Sequence, residues 1–285
     1  MAALKPRRFI SPSAVVWLLV GAAYLVIPLI ATFIFSMRHE STGKCCTLGN
    51  YGTILHDAGF WKNIKTSFIL SVETIVISLT LLVPTVYWVH LKLPRLRTLI
   101  GFLALVPFVV PPIILVVGLL KIFNPRTGIL RVVGDAIGLL PGIDSGWFFS
   151  QPYGFLVGAY VILAFPYVYF ALDAGFRAID IHTLTEASHS LGAGWTVTLL
   201  RVIVPNIKTA ALAGSFLTLA IVMGEFTIAS LSAFHTFPIY IQQVQQDKLY
   251  AASAVVLISF VITWAAMVSL LFVGRGRQVQ AGGAR

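Results

Sequence analysis

Two carboxylates, Glu73 and Glu225, stand inside long apolar runs. An ionised side chain is expensive in hydrocarbon unless it faces a wet cavity or a partner, so each is a candidate for chemistry. Counted from the outer ends of their apolar runs, both fall roughly 10 Å deep at 1.5 Å per residue. At that depth they would face one wet cavity and draw in a cationic solute, with Phe226 and Thr227 beside Glu225 on the same path. The competing reading has either carboxylate protonated, or bonded to Ser71, Thr74, Thr227 or Ser230 to tie helices together. His182 and His189 lie seven residues apart, two turns along one helical face, a spacing that suits a contact surface better than a metal. Ser41-Thr42-Gly43-Lys44 lacks the first glycine and the four-residue gap of a phosphate-binding loop, so ATP binding by that mechanism is not expected. Neither an HExxH pair, a metal-spaced Cys/His cluster nor a nucleophile elbow occurs, so no catalytic residue, metal or cofactor is assigned. Cys45 and Cys46 are adjacent and cannot staple distant segments.

The elements that must hold these residues are dictated by composition. The chain has 285 residues, 58% hydrophobic and only 11% charged, where soluble domains carry roughly a quarter charged. With a mean hydropathy of +0.91, its solvent is lipid. The formal charge of +10 and pI of 9.9 reflect Lys and Arg left in loops on the cytoplasmic side, not a nucleic-acid face, because no basic face of useful length exists.

Spanning a bilayer takes about 20 apolar helical residues. Six stretches qualify: 13–35, 66–89, 99–122, 153–172, 209–231 and 251–273. The first exceeds the 7 to 15 or so apolar residues of a secretory signal. The expected fold is therefore an all-α membrane protein with six transmembrane helices. Residues 1–12 form an N-terminal segment, 13–273 the membrane domain and 274–285 a polar tail. Lys5, Arg7, Arg8, Lys92, Arg95, Arg97, Arg177, Arg201, Lys208, Arg275, Arg277 and Arg285 then fall on the inner side, so both termini are expected in the cytoplasm. Prolines interrupt several spans, and Val106 to Pro112, VPFVVPP, leaves much of one turn without intrahelical bonds.

The longest cytoplasmic segment, 173–208, is the most informative. Thr183-Leu184-Thr185-Glu186 reads as a capping box opening a short helix. Gly192 suits the left-handed stop after it, and Pro205 closes a second helical stretch that begins near Gly194. A compact helix held between two spans suits docking by another protein; an amphipathic linker is the plain alternative.

Glu186-Ala187-Ser188, three residues, Gly192, nine residues and Val202-Ile203-Val204-Pro205 resemble the EAA loop of binding-protein-dependent ABC importer permeases, E-A-A, three residues, G, nine residues, I-x-L-P. Both gaps match. Ser188, Val202 and Val204 depart from the pattern by small or apolar exchanges. The resemblance implies a coupling helix, Leu184 to Leu191, lying in a groove of a cytoplasmic ATPase subunit. Glu186 would make polar contacts there, with His189 and Leu191 beside it, while Ala187 and Ser188 permit close approach and Gly192 allows the turn. Met223 to Leu231 (MGEFTIASL) followed by Thr236-Phe237-Pro238 is similar to the spermidine/putrescine permease subgroup, which often carries aspartates near the position of Glu225. Permeases for ferric iron, phosphonates, sulfate and molybdate share similar segments.

The resemblance implies a type I importer in the cell membrane. It implies two ATPase subunits that bind ATP and Mg, a second and different permease subunit, an extracytoplasmic solute-binding protein, and no cofactor in this chain. The carboxylates alone leave another class open, an ion-gradient-driven transporter using Glu73 and Glu225 as relays, which would leave the EAA-like loop unexplained.

Overall fold

The computed structural model describes residues 12–39, 42–122 and 153–274. The terminal segments, and with them Lys5, Arg7, Arg8, Arg275, Arg277 and Arg285, lie outside the described residues, as does Ser41. Every regular element among the described residues is helical. In lipid, only a helix or a closed barrel satisfies its own backbone polar groups, and a helix does so within one segment.

Among the described residues, four helices are long and apolar enough to span a membrane: α1 (Pro12–Ser36), α3 (Ala58–Lys92), α7 (Gly154–Arg177) and α13 (Leu249–Gly274). Two further spans exist only as bent pairs, giving up to six. The first comprises a 3-10 turn Pro94–Leu96, α4 (Arg97–Ala104), α5 (Val106–Val109) and α6 (Pro112–Ile122), turning by 101° between Val109 and Pro112. Val110 is extended there, at φ −81° and ψ 118°, because the rings of Pro111 and Pro112 exclude helical geometry from the residue preceding each. The expected span 99–122 is thus a broken one.

The second pair is α9 (Trp195–Asn206) and α10 (Lys208–Gly224), meeting at 74°. Pro205 leaves the Arg201 carbonyl without its α-helical donor, and the backbone from Thr198 to Ile203 relaxes into a π-helical turn. The expected span 209–231 ends at Gly224. After a break at Glu225 and Phe226 comes the short α11 (Thr227–Leu231), then α12 (Phe237–Asp247).

The chain divides into two compact units. In the smaller, residues 1–57 and 241–260, α1 leaves its apolar surface exposed, and α2 (Gly49–Leu55) is tied to its end. The Asn50 amide donates to the carbonyls of Ser36 and Arg38, both at 2.8 Å, and the Ser36 and Tyr51 hydroxyls meet at 2.6 Å.

In the larger unit, residues 58–240 and 261–285, α3, α7 and α10 pack against one another. Lipid tails are as apolar as leucine, so helices gain from touching mainly when they approach closely. Glycine supplies the approach. A Cβ on Gly214 would come within 3.2 Å of the Val168 backbone, and one on Gly175 would collide with Ala210. Two apolar clusters flank this contact. One joins Tyr87, Leu172, Phe176, Ile181 and Ile203, and the other Leu70, Leu156, Tyr160, Val222 and Ile228.

Candidate functional site

The loop after α7 folds as α8 (Ile181–Ser190). Its cap is Asp180, not Thr183. The Thr183 amide donates to Asp180 Oδ1 at 3.2 Å and its hydroxyl to Oδ2 at 2.7 Å. These two donors hold the Asp180 carboxyl below the ordinary aspartate range. The expected capping box fails because Asp180 supplies the stronger acceptor three residues earlier, which places Thr183 inside the first turn.

The other end matches the expected stop. Gly192 has φ +78°, its amide meets the His189 carbonyl at 2.9 Å, and the Ala193 amide meets Ser188 O at 3.0 Å. That pair of reversed bonds closes the helix and favours glycine at the left-handed position.

One face of α8 is built into the molecule. Ile181, Thr185 and Ser188 are buried, and the Thr185 hydroxyl lies 3.0 Å from Tyr87 Oη on α3. Ser188 therefore points inward, its hydroxyl donating to Leu184 O at 2.8 Å. Ser188 thus lies on the buried face of α8 and Ala187 on the exposed one. His182, Glu186, Ala187 and His189 are exposed, and Leu191 is 88% exposed. Pro205 is exposed on α9. His182, Glu186 and His189 share a cleft of about 440 Å³ with Trp88, Lys92 and Trp195, so the two histidines do lie on one face. No group of His, Cys, Asp or Glu suited to a metal occurs among the described residues.

Sequence reasoning missed the anchor behind α8. Asp173, 5% exposed near the end of α7, accepts from His90 Nε2 and Arg97 Nε, each at 2.9 Å, and from Arg177 Nη2 at 2.6 Å. One carboxylate thus joins the ends of α3, α4 and α7. A lone aspartate closing an apolar run, with an arginine four residues on, is the signal that marks it.

The two span carboxylates have different surroundings. Glu225 is 8% exposed and accepts from the amides of Ile228 at 2.8 Å and Ala229 at 3.3 Å. These are backbone donors, not the serine and threonine side chains of the competing reading. Ser71 and Thr74 donate instead to carbonyls of their own helix, at 2.7 Å each. Phe226 is exposed and Thr227 half-buried. The Tyr160 phenol lies near the Glu225 carboxylate.

Glu73 is exposed on α3, on the same side as Val72, Val76 and Ile77. α3 starts at Ala58 and α10 stops at Gly224. Glu73 lies about 22 Å along its helix at 1.5 Å per residue, and Glu225 lies in a break.

Comparison with known proteins agrees with this architecture. Residues 91–275 match the family described as binding-protein-dependent transport system inner membrane component. A probable molybdenum ABC transporter permease of Haloferax volcanii is 31% identical over 162 residues, 56% of this chain and 55% of that protein. The spermidine/putrescine transport system permease PotB of Escherichia coli is 30% identical over 186 residues, 65% of each chain. The matched region thus spans between about half and two thirds of these relatives' own lengths. The fold is similar to that of a bacterial ABC transporter involved in the import of the acidic polysaccharide alginate, with a TM-score of 0.67 at 15% identity, covering 93% of both chains. It is also similar to a bacterial alginate ABC transporter solved in complex with an alginate pentasaccharide-bound periplasmic protein, with a TM-score of 0.63 at 14% identity, covering 95% of this chain and 94% of that one. With its helical spans, its EAA-like loop folded as a capped helix, and a family match over most of its length, the chain belongs to the binding-protein-dependent transport system inner membrane components, the permeases of ABC transporters.

Proposed function

We propose that this chain is the transmembrane subunit of an ATP-driven importer, with six spans, both termini in the cytoplasm, and α8 as the helix that couples it to an ATPase. The observation that carries this reading is the two-sidedness of α8. Ile181, Thr185 and Ser188 are buried against the spans, while Glu186, Ala187, His189 and Leu191 face outward. A ten-residue helix with an exposed carboxylate on it and an exposed leucine at its C-cap offers a partner both apolar contact and a polar anchor. A push on that outer face would pass through Thr185 and Tyr87 into α3, and through Asp173 into α4 and α7.

Two ATPase subunits, a second and different permease, and an extracytoplasmic solute-binding protein complete the assembly. ATP and Mg are held by the ATPases, and this chain needs no cofactor. ATP binding draws the ATPases together and turns the path from inward- to outward-facing, a switch between two packed states. Glu73 fits the same scheme. A carboxylate exposed among the described residues is costly in lipid, and the second permease, or the path between the two halves, covers that face of α3.

For the solute we propose a polyamine. The acidic character at Glu225, the resemblance of Met223 to Leu231 to the spermidine/putrescine subgroup, and the PotB relatives all favour a cation. The molybdenum permease relative favours a second reading, an oxyanion, with phosphonate and ferric iron in the same importer class.

The test is purification of the tagged chain in mild detergent, with mass spectrometry of what stays bound and ATP hydrolysis measured with and without spermidine plus the binding protein. Recovery of an ATPase and a second permease is expected, with hydrolysis stimulated by spermidine. A folded chain that purifies alone overturns the importer assembly. A complex stimulated by molybdate but not by spermidine overturns the polyamine.

A further inference from the structure

The two cysteines of this chain occupy the turn between α1 and α2, far in sequence from every residue placed in transport above. Both are exposed and unbridged. The turn is closed on itself by backbone bonds. The His39 amide meets Lys44 O, the Gly43 amide meets His39 O, and the Thr47 amide meets Met37 O, each at 2.8 Å. Cys45 and Cys46 follow directly on the inner of these pairings. Cys46 has φ +82°, a left-handed conformation that a residue with a Cβ adopts at a cost, so the surrounding bonds hold it there. The result is that Cys46 Sγ donates to Cys45 Sγ at 3.1 Å. Two adjacent thiols on an extended strand would point to opposite sides; here they converge.

We infer that Cys45 and Cys46 form a redox-active vicinal dithiol that closes reversibly into a disulfide across a single peptide bond, its reaction partner being a low-molecular-weight disulfide such as oxidised glutathione. Cys45, as the acceptor of the Cys46 proton donor, attacks first. Its thiolate displaces one glutathione thiolate and leaves a mixed disulfide. The Cys46 thiol then gives up its proton, and its sulfur attacks the Cys45 sulfur, releasing the second glutathione thiolate. The pair loses two protons and two electrons, and the oxidised glutathione is reduced to two thiols.

Reversibility follows from geometry. Neighbouring residues across a trans peptide have Cα atoms about 3.8 Å apart, shorter than the usual span of about 4.4–6.8 Å for a disulfide, and a bond forced into such a frame is easily reduced. Before closure, the hydrogen bond and the charge of Cys45 push the Cys46 thiol up. Cys46 therefore keeps its proton as donor until the mixed disulfide forms.

The measurement is intact mass of the full chain in detergent after equilibration with glutathione buffers of rising oxidised fraction, acid quench and N-ethylmaleimide. Two adducts are expected in reduced buffer. In oxidised buffer none is expected, with a mass lower by two hydrogens and no attached glutathione, and dithiothreitol should restore both. Cys45→Ser and Cys46→Ser should each end in oxidised buffer as a glutathione adduct. Wild-type chain that keeps two alkylatable thiols, carries glutathione on both cysteines, or cross-links to a second copy would overturn the proposal. The readout needs neither an ATPase nor a solute, so it stands apart from the transport assignment.

Discussion

The Tyr87 and Thr185 hydroxyls, 98 residues apart in sequence, meet at 3.0 Å in a buried contact between α3 and α8. Thr185 Oγ1 also lies 2.6 Å from Ile181 O, a carbonyl that can only accept. Thr185 thus donates within its own helix, and Tyr87 donates to it. Around the pair, the Tyr87 ring stacks on Phe176 with centroids 6.3 Å apart.

Tyr87→Phe keeps the packing and removes only the inter-helix bond. A loss of about 1 kcal/mol is expected, seen as a small fall in the apparent Tm, because Thr185 keeps its bond to Ile181. Tyr87→Ala empties a site that is 0% exposed and should cost about 3–5 kcal/mol. In the assembled importer, Tyr87→Phe should also weaken the stimulation of ATP hydrolysis by the binding protein while α8 still recruits the ATPase. Equal stimulation in wild type and Tyr87→Phe would take this bond out of the transmission route.

Asp173 makes a sharper prediction because its three partners differ in exposure. Asp173→Asn leaves the same shape but removes the charge that faces His90, Arg97 and Arg177. Breaking a buried pair by neutralising one partner costs about 3–5 kcal/mol. Arg177, with 60% of its side chain exposed, is screened by solvent, so Arg177→Ala should cost less than about 1 kcal/mol despite having the shortest of the three contacts. Thermal unfolding of the two variants in one detergent decides the order. If Arg177→Ala proves the more damaging, the carboxylate is not the hub of the contact.

The loop helix was legible in the sequence because its signals are local. Gly192 marks a backbone position that glycine favours, and the EAA spacing fixes which loop it ends. Four of the expected spans were legible for the same reason, since apolar length decides them. The cap was misread because Thr183 and Asp180 both suit an N-cap, and an ionised carboxylate is the stronger acceptor. Breaks at Val110 and Glu225 escaped a reading by apolar length, which does not register backbone geometry, although the prolines at 111 and 112 announced the first. Asp173 was missed because its meaning lies in His90 and Arg97, brought to it from other helices by packing alone.

Glu225 holds the break in α10–α11 together, and this separates two substitutions. Glu225→Ala leaves the amides of Ile228 and Ala229 without their acceptor in a buried site, at about 1–3 kcal/mol for each stranded donor. Glu225→Gln keeps one acceptor oxygen and loses the charge. The yield of assembled complex should therefore rank wild type, then Gln, then Ala. Spermidine uptake should fall in Glu225→Gln while the ATPase still copurifies. Uptake at the wild-type rate in the Gln variant would leave Glu225 as the fastener of α11 and remove it from the path of the solute.

Asp180 links the start of α8 to pH. Its carboxyl is held below the ordinary aspartate range by the Thr183 hydroxyl and amide. A depressed folded value means that the carboxylate's contribution is fully present above the unfolded aspartate value, about 3.9. It is lost as pH falls through the lower, folded value. Near neutrality the cap is intact, and only acid should release it. The amides of the first turn of α8 should then lose hydrogen-exchange protection, relative to their intrinsic rates, as pH is lowered below the ordinary aspartate range. In Asp180→Asn, whose neutral oxygen still accepts from Thr183, protection should be lower at neutral pH but flat across the same interval. A wild-type profile as flat as that of Asp180→Asn would show that the charge of Asp180 does not hold the start of α8.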